Sequence, residues 1–484
     1  MLPSGTNCYS VPMHRPLYIL IVLSVASLAI VGCASFQSRD LKPAESASRL
    51  EQRNLSNPEL FSFIETVIGS PSVKMSKAWN LDRLTLAAIY YHPDLAVARA
   101  QTQFADAGIK TAGQRPNPSI TISPTWVRNL ATAAIPWIAA SSISIPIETA
   151  GKRDFRIDKA TQLADAARLR IADTVWLVRG RLRLALLEAY SASEAERLVH
   201  QQLSVQLAMN QRLEQQLSIG EMGPLEVTRS HLAVNQLKLN EDAARKRVAE
   251  SKVMLAAAIG VPIEGLVNAE LDFNDLAKPP ALQDIPVSKL KEQALQARPD
   301  VLAALADYAA AQSALQLEIA NQYPNIQANP GYAWEMGEHR WGLGTTLQLP
   351  ILHQNQGPIA EAEAKRQELA VRFEALQMRI LSDIDRAYSG MAAILAKWRD
   401  AGKQIQLQQN NLNSVQAQYQ AGESDRLAVL GAELEKAVTE RAQLDVLIET
   451  HQLLNGLEDA LRQPIASTLT QTLIAESISR KSLQ

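Results

Sequence analysis

The stretch SSISIPIETAGKRDFRI, residues 141–157, decides how the chain reads. Ile143, Ile145 and Ile147 alternate with Ser142, Ser144 and Pro146, the two-residue period of a strand with one apolar side. After Gly151 the spacing becomes helical, and no glycine or proline interrupts it until Gly180 and then Gly220. A helix over 151–219 would run roughly 100 Å at 1.5 Å per residue. The event recurs in WGLGTTLQLPILHQNQGPIAEAEA, residues 341–364, where Trp341, Leu343, Thr345, Leu347 and Leu349 alternate with Gly342, Gly344, Thr346 and Gln348. One-sided strands that feed helices of this length are rare in ordinary globular domains.

Working outward, the punctuation repeats. Pro93-Asp94 returns as Pro299-Asp300, Pro116 as Pro324, Pro146 as Pro350, Gly220 as Gly422 and Pro262 as Pro464, always 202 to 208 residues later. Such regular spacing points to an internal duplication. Each half reads helix, strand, strand, long helix, turn, returning helix. Strands are expected at 117–128 and 136–147 in the first half, joined by a loop near 131–135, and at 325–335 and 340–351 in the second. On the last returning helix Leu427, Leu430, Leu434, Ala437, Leu444 and Ile448 step by threes and fours, with Arg441 the one polar intruder, which is a packing seam.

Composition narrows the function. Lys and Arg number 48 against 50 Asp and Glu, so no global field favours nucleic acid. Aromatics are only 5%, low for a set of large globular cores. No nucleotide-binding, metalloprotease, serine-hydrolase or C-x-x-C motif occurs, and the histidines are scattered over different elements. No enzyme, no cofactor and no resident metal site is expected. Both cysteines, Cys8 and Cys33, lie near the N-terminus. His14 and Arg15 precede the short apolar run Leu17–Val31, and Gly32-Cys33 follows, which reads as a secretory signal ending at a cysteine.

Four strands cannot close a barrel with a filled interior, for which about eight are needed, and left open they expose unpaired edges. Oligomerisation resolves this. Trp126 and Trp137 sit near the first hairpin loop, and Trp334 and Trp341 flank the second, as a membrane-interface belt requires. The opposite strand face, of Gly, Ser, Thr and Gln, suits a watery lumen. Lys152 and Arg153 after the strand-to-helix turn read as a solvated or headgroup-level charge pair.

The signal, the duplicated order and the turn segments QLSIGEMGPLEVTRSHL (216–232) and QYQAGESDRLAVLGAEL (418–434) together resemble the TolC family of outer-membrane efflux factors. The segment IPIETAGKRDFRI looks most like its heavy-metal, CzcC/CusC-type branch. The resemblance implies a mostly α fold with membrane β structure. It implies a homotrimer with a 12-stranded β-barrel in the outer membrane of a Gram-negative bacterium and a long α-helical barrel across the periplasm. It also implies lipidation at Cys33, a periplasmic adaptor and an inner-membrane pump of the RND type.

On this reading residues 1–32 are a lipoprotein signal peptide and 33–78 a lipidated linker. Residues 79–270 form the first repeat, 271–286 a connector, 287–466 the second repeat and 467–484 a tail. The turns at Gly220, Gly223 and Gly422 fall at the periplasmic tip. The family's acidic ring after the second turn is replaced by Ala428 and Gly431, which leaves Glu221, Glu226, Arg229, Glu423 and Asp425 as candidate gate charges. The function implied is a passive exit duct for efflux, for heavy-metal cations first. Multidrug efflux or a protein or peptide secretion duct are the alternatives within the fold, and a pore-less periplasmic coiled-coil lipoprotein is the alternative outside it.

Overall fold

The computed structural model describes residues 34–68, 78–126, 137–279, 286–335 and 337–465. Residues 34–51 belong to a unit of their own, and their helix, α1 (Pro43–Glu51), buries no side chain. The second unit begins at Gln52. Its order is α2 (Pro58–Ile68), α3 (Leu81–Tyr91), α4 (Pro93–Ala112), β1 (Ser119–Trp126), β2 (Trp137–Ile147), α5 (Lys152–Ser218) and α6 (Pro224–Ile259), then α7 (Val287–Ala297), α8 (Pro299–Ala320), β3 (Ile326–Glu335), β4 (Glu338–Leu347), α9 (Gln356–Gln420) and α10 (Arg426–Leu461). The two tandem repeats expected from the punctuation are both present.

Local chemistry sets the boundaries. Asn80 caps α3 by accepting from the Arg83 N–H at 3.0 Å, and His92 both ends α3 and caps α4 through Nδ1. Pro93 and Pro299 open α4 and α8 at the position where the missing N–H costs nothing. Gly260, at φ 91°, ends α6, and a Cβ there would meet the His92 backbone at 3.0 Å, so α6 abuts the start of α4. The matching position after α10, 202 residues on, is Arg462 at φ 52°.

The long helices pack in sequence. α6 lies on α5, α5 on α10 and α10 on α9, while α4 covers α5 and α8 bridges α5 and α9. α10 is therefore buried on two sides, and Val446 and Leu447, outside the expected seam, are buried along with Leu444 and Ile448. One core gathers α2, α3, the middle of α5, the end of α6 and Leu444 and Ile448 of α10, and a second gathers α7, α9 and α10. The expected linker 33–78 is partly core: Leu55, Leu60, Ile64 and Val67 are fully buried against α3 and α5, because α2 presents Leu60, Ile64 and Val67 along one helical stripe.

The strands pair in the order β1-β2-β3-β4, all antiparallel, leaving β1 and β4 as edges. β4 starts two residues before the expected 340 and ends at 347, since Gly337 at φ 86° makes a tight turn and Pro350 stops the ladder early. The loop expected near 131–135, the signal with Cys33, and the tail from 467 lie outside the described residues.

Candidate functional site: sheet faces, barrel joint and helix tips

Directly paired residues share a face of a sheet, so the register assigns every strand side chain. Ile120, Ile122 and Trp126 of β1 oppose Ile143, Ser141 and Trp137 of β2. Ile145 and Ile147 oppose Ala328 and Ile326, and Tyr332 opposes Trp341. Trp334 lies on this face too, opposite Ala139 and His339. All four tryptophans and the strand isoleucines but Ile138 therefore occupy one face. The other face carries Ser119, Thr121, Ser123, Ser142, Ser144, Gln327, Asn329, Gly342, Gly344 and Thr346, with Glu335, Glu338 and Arg340 at the hairpin end.

On the central strand β2 the apolar face is the more open one, while β1 and β4 are exposed on both faces. Along β2 the odd-numbered, apolar positions are exposed and the even-numbered ones half-buried. Ile122 is 75% and Trp341 81% exposed. In water this ordering is the reverse of what burial favours, and a patch of this kind needs a partner or a lipid surface. Trp126 and Trp137 meet edge to face at 4.6 Å across the hairpin end. Tyr332, which sequence reasoning passed over, adds to them: it packs on Trp341 at 4.8 Å and bonds the His339 Nδ1 at 2.7 Å. The strands are 8 to 11 residues long, close to the span of a tilted membrane strand. No helix among the described residues is long and apolar enough to cross a membrane.

Below the sheet, the opening motif turns out to be a joint. Ala150 and Gly151 take left-handed conformations, φ 57° and 70°, and turn the chain from β2 into α5. Thr149 Oγ1 donates to the Pro324 carbonyl at 2.8 Å, and Arg153 Nε to the Gly113 carbonyl at 2.9 Å. Glu148 accepts from both terminal guanidinium nitrogens of Arg156. Lys152, expected in solvent or at headgroup level, is instead only 6% exposed. Its Nζ donates to the Tyr323 carbonyl at 2.5 Å and to Asn325 Oδ1 at 2.7 Å, which ties the first repeat to the entry of β3. Burial lowers its pKa. In the second repeat Asn355, at φ 61°, stands where Gly151 does and donates to Glu318.

At the far ends of the long helices the two turns are built alike. Gly220 and Gly422 sit at φ 80° and 78°. The Glu221 N–H bonds the Gln216 carbonyl and the Glu423 N–H the Gln418 carbonyl, each at 2.9 Å, closing the same left-handed helix cap. Gly223 precedes Pro224 as the N-cap of α6. Of the candidate charges, Asp425 is occupied as the N-cap of α10, accepting from the Ala428 N–H at 2.8 Å, and Glu226 pairs with Arg229 at 3.1 Å. Glu221 and Glu423 are exposed, one at each turn. A small cluster of Leu412, Val429 and Ala432 holds the second tip.

Leu225, Leu232 and Leu239 of α6, spaced by sevens, are each about two-thirds exposed on a helix whose other side is packed on α5. Among the described residues no group of three or more His, Cys, Asp or Glu side chains could hold a metal ion.

The model of the family described as Outer membrane efflux protein matches residues 87–261 and 290–461, one segment in each repeat. Among curated proteins, the chain is similar to the cobalt-zinc-cadmium resistance protein CzcC of Cupriavidus metallidurans, 22% identical over 376 residues, 76% of this chain and 86% of that protein. It is similar to the pyoverdine export outer membrane protein OpmQ of Pseudomonas aeruginosa, 23% identical over 410 residues, 79% and 85%. Among solved structures, the outer membrane protein VceC of Vibrio cholerae superposes with a TM-score of 0.64 at 20% identity, covering 80% of this chain and 96% of that one. CusC superposes with a TM-score of 0.64 at 18% identity, covering 81% and 95%.

Proposed function

We propose that this chain, which belongs to the Outer membrane efflux protein family, is the passive exit duct of a tripartite efflux system, carrying heavy-metal cations outward. The observation that carries the reading is the sheet: apolar on one face, polar on the other, with β1 and β4 left as edges. An even number of antiparallel strands per copy lets β1 of one copy pair antiparallel with β4 of the next. A head-to-tail contact of this kind closes into a ring. Three copies give twelve strands, wide enough for an aqueous lumen.

The helices support the same ring. α10 meets α5 within the chain, and the duplication makes α6 with α9 of the next copy the equivalent contact. The exposed Leu225, Leu232 and Leu239 of α6 supply an apolar surface for it. The tryptophans then sit at the membrane interface, the joint around Lys152 lies where barrel becomes helix, and the Gly220 and Gly422 turns form the periplasmic tip. There an adaptor and an inner-membrane pump, which supplies the energy, would dock. Glu221 and Glu423, repeated around the ring, would focus negative potential on the opening and favour cations. A lipid on Cys33 would hold the chain at the outer membrane.

The metal assignment leans on the 145–157 motif and on the similarity to CzcC and CusC. The similarity to OpmQ, a pyoverdine exporter by name, keeps an organic cargo as the second reading. A susceptibility panel on a strain lacking this protein separates them. Sensitivity confined to metals such as cobalt, zinc, cadmium, copper or silver is the expected result. Sensitivity mainly to drugs and detergents would keep the duct and remove the metal.

A further inference from the structure

Two exposed apolar stripes lie on the helices next to the sheet. On α4, Val97 is 56% and Phe104 83% exposed, with Ala100 open between them. On α9, Val371 is 53% and Met378 68% exposed, with Ala375 open between them. Each pair is spaced by seven residues, close to two turns, so each stripe runs along one side of its helix. Neither stripe joins a core of the chain.

The duplication shows what such a stripe meets. α8 is the counterpart of α4, with Pro299 matching Pro93 at a spacing of 206 residues. Its Ala303, Ala306 and Ala310, which match Val97, Ala100 and Phe104, are all buried. They run along the side of α8 that carries Asp307, and Asp307 pairs with Arg170 of α5. α8 climbs towards the barrel joint and α5 descends from it, since Tyr323 meets Lys152 there, so this ion pair sets the levels of the two helices. Three residues up α8, Ala310 stands level with Ala167, which is buried too. Four residues down, Ala303 stands level with the half-buried Thr174. α9 is the counterpart of α5, with Asn355 matching Gly151 at a spacing of 204 residues, both left-handed. Ala167 and Thr174 thus correspond to Val371 and Met378. The four exposed residues duplicate a contact that the chain already makes once.

The chain cannot make it a second time with its own helices. α4, α5, α8 and α9 pack in that order, each on the next, which leaves α4 at one flank and α9 at the other. We infer that the α4 stripe docks on the α9 stripe of a second copy, antiparallel, with Phe104 at the level of Val371 and Val97 at the level of Met378. Large side chains meet there where alanines and a threonine meet within the chain, so the two helices stand farther apart than α8 and α5 do. Gln101 and Glu374 take the places of Asp307 and Arg170, so this seam leans on apolar burial in place of an ion pair. The inference rests on the ring proposed above and names the helix contact that closes it beside the sheet.

The test uses the full-length protein purified in detergent, which has no cysteine after Cys33. Double variants combine Phe104→Cys or Val97→Cys with Val371→Cys or Met378→Cys, and the single variants are controls. Mild oxidation should join the Phe104→Cys/Val371→Cys and Val97→Cys/Met378→Cys proteins into covalent dimers and trimers on denaturing gels. The crossed combinations, Phe104→Cys/Met378→Cys and Val97→Cys/Val371→Cys, are displaced by about 10 Å along the helices. They should stay at background, because a disulfide needs Cα atoms within about 7 Å. Oligomers in which the crossed pairs link as well as the matched ones, or in which no pair links, would overturn the inference and leave the ring standing. Protein that runs as a monomer throughout would overturn both.

If the double variants assemble poorly, labelling decides. In assembled protein Phe104→Cys should react with a water-soluble maleimide several-fold more slowly than Gln103→Cys, an exposed position turned away from both the stripe and α5. Equal rates in an intact oligomer would contradict the seam.

Discussion

The carboxylate of Asp459 rests on the bare α-carbon of Gly180: a Cβ added to Gly180 would lie 2.5 Å from Oδ1. This explains a glycine in the middle of a 67-residue helix, where it costs about 1 kcal/mol relative to alanine. The contact lets α5 and α10 approach beside Arg179 and Glu458. Gly180→Ala should therefore forfeit the gain that alanine brings to a helix interior. Thermal unfolding in detergent is expected to show no rise in Tm, and a fall if Asp459 loses its bond from Asn455 (3.1 Å). A rise of several degrees would show that the approach does not matter.

His451 makes the seam acid-sensitive. Its Nε2 reaches the Leu276 and Lys278 carbonyls at 3.1 and 3.0 Å, so the neutral tautomer with the proton on Nε2 is the one that fits. Burial, and then the Arg183 charge facing it, push its pKa from 6.5 down to about 4, against the opposing pull of Glu458. Between those values the unfolded chain binds a proton that the native chain refuses. Stability is thus complete above about pH 6.5 and falls as pH drops towards about 4, by on the order of 3 kcal/mol. Unfolding measured at about pH 7 and about pH 5 should show this slope. His451→Gln, which keeps a donor and removes the titration, should flatten it.

Lys152→Met should loosen the barrel joint. The change leaves the Tyr323 carbonyl and Asn325 Oδ1 without their buried donor. The expected loss is about 1–3 kcal/mol. Limited proteolysis near residues 148–152 and 322–326 should accelerate. An unchanged cleavage rate would mean that Thr149 and Arg153 carry the joint without it.

Selectivity is expected to reside at the tips. The polar sheet face carries one net negative charge per copy, at its hairpin end, where Arg340 is held between Glu335 at 2.9 Å and Glu338 at 3.3 Å, against the exposed Glu221 and Glu423 of each copy at the tips. Glu221→Gln with Glu423→Gln should shift the reversal potential in asymmetric salt towards zero, while Asp425→Asn, a capping change, should leave it unmoved. A shift produced only by Asp425→Asn would assign the gate differently.

Much of this was legible in the sequence, for definite reasons. Ile143, Ile145 and Ile147 expose the strand period because one face of that strand meets no core. The glycine and proline punctuation exposes the duplication because turns and caps depend on local chemistry. The chain hid what depends on tertiary contact. Lys152 looks like any charge after a turn until Asn325 is brought beside it. Arg179 and Arg183 are lost among Arg168, Arg170 and Arg181, since nothing in a helix period tells a buried arginine from a solvated one. The heptad of Leu225, Leu232 and Leu239 was readable, but its exposure was not.

The central claim is a ring with a water-filled passage, and conductance tests it most directly. The purified protein, added to a planar lipid bilayer, is expected to insert as a trimer and to open discrete ion-conducting steps. Leu232→Glu, which places a charge on the α6 stripe, should lower the yield of trimer and of steps together. Protein that forms trimers and never conducts, or that washes off the bilayer with salt, would contradict the account.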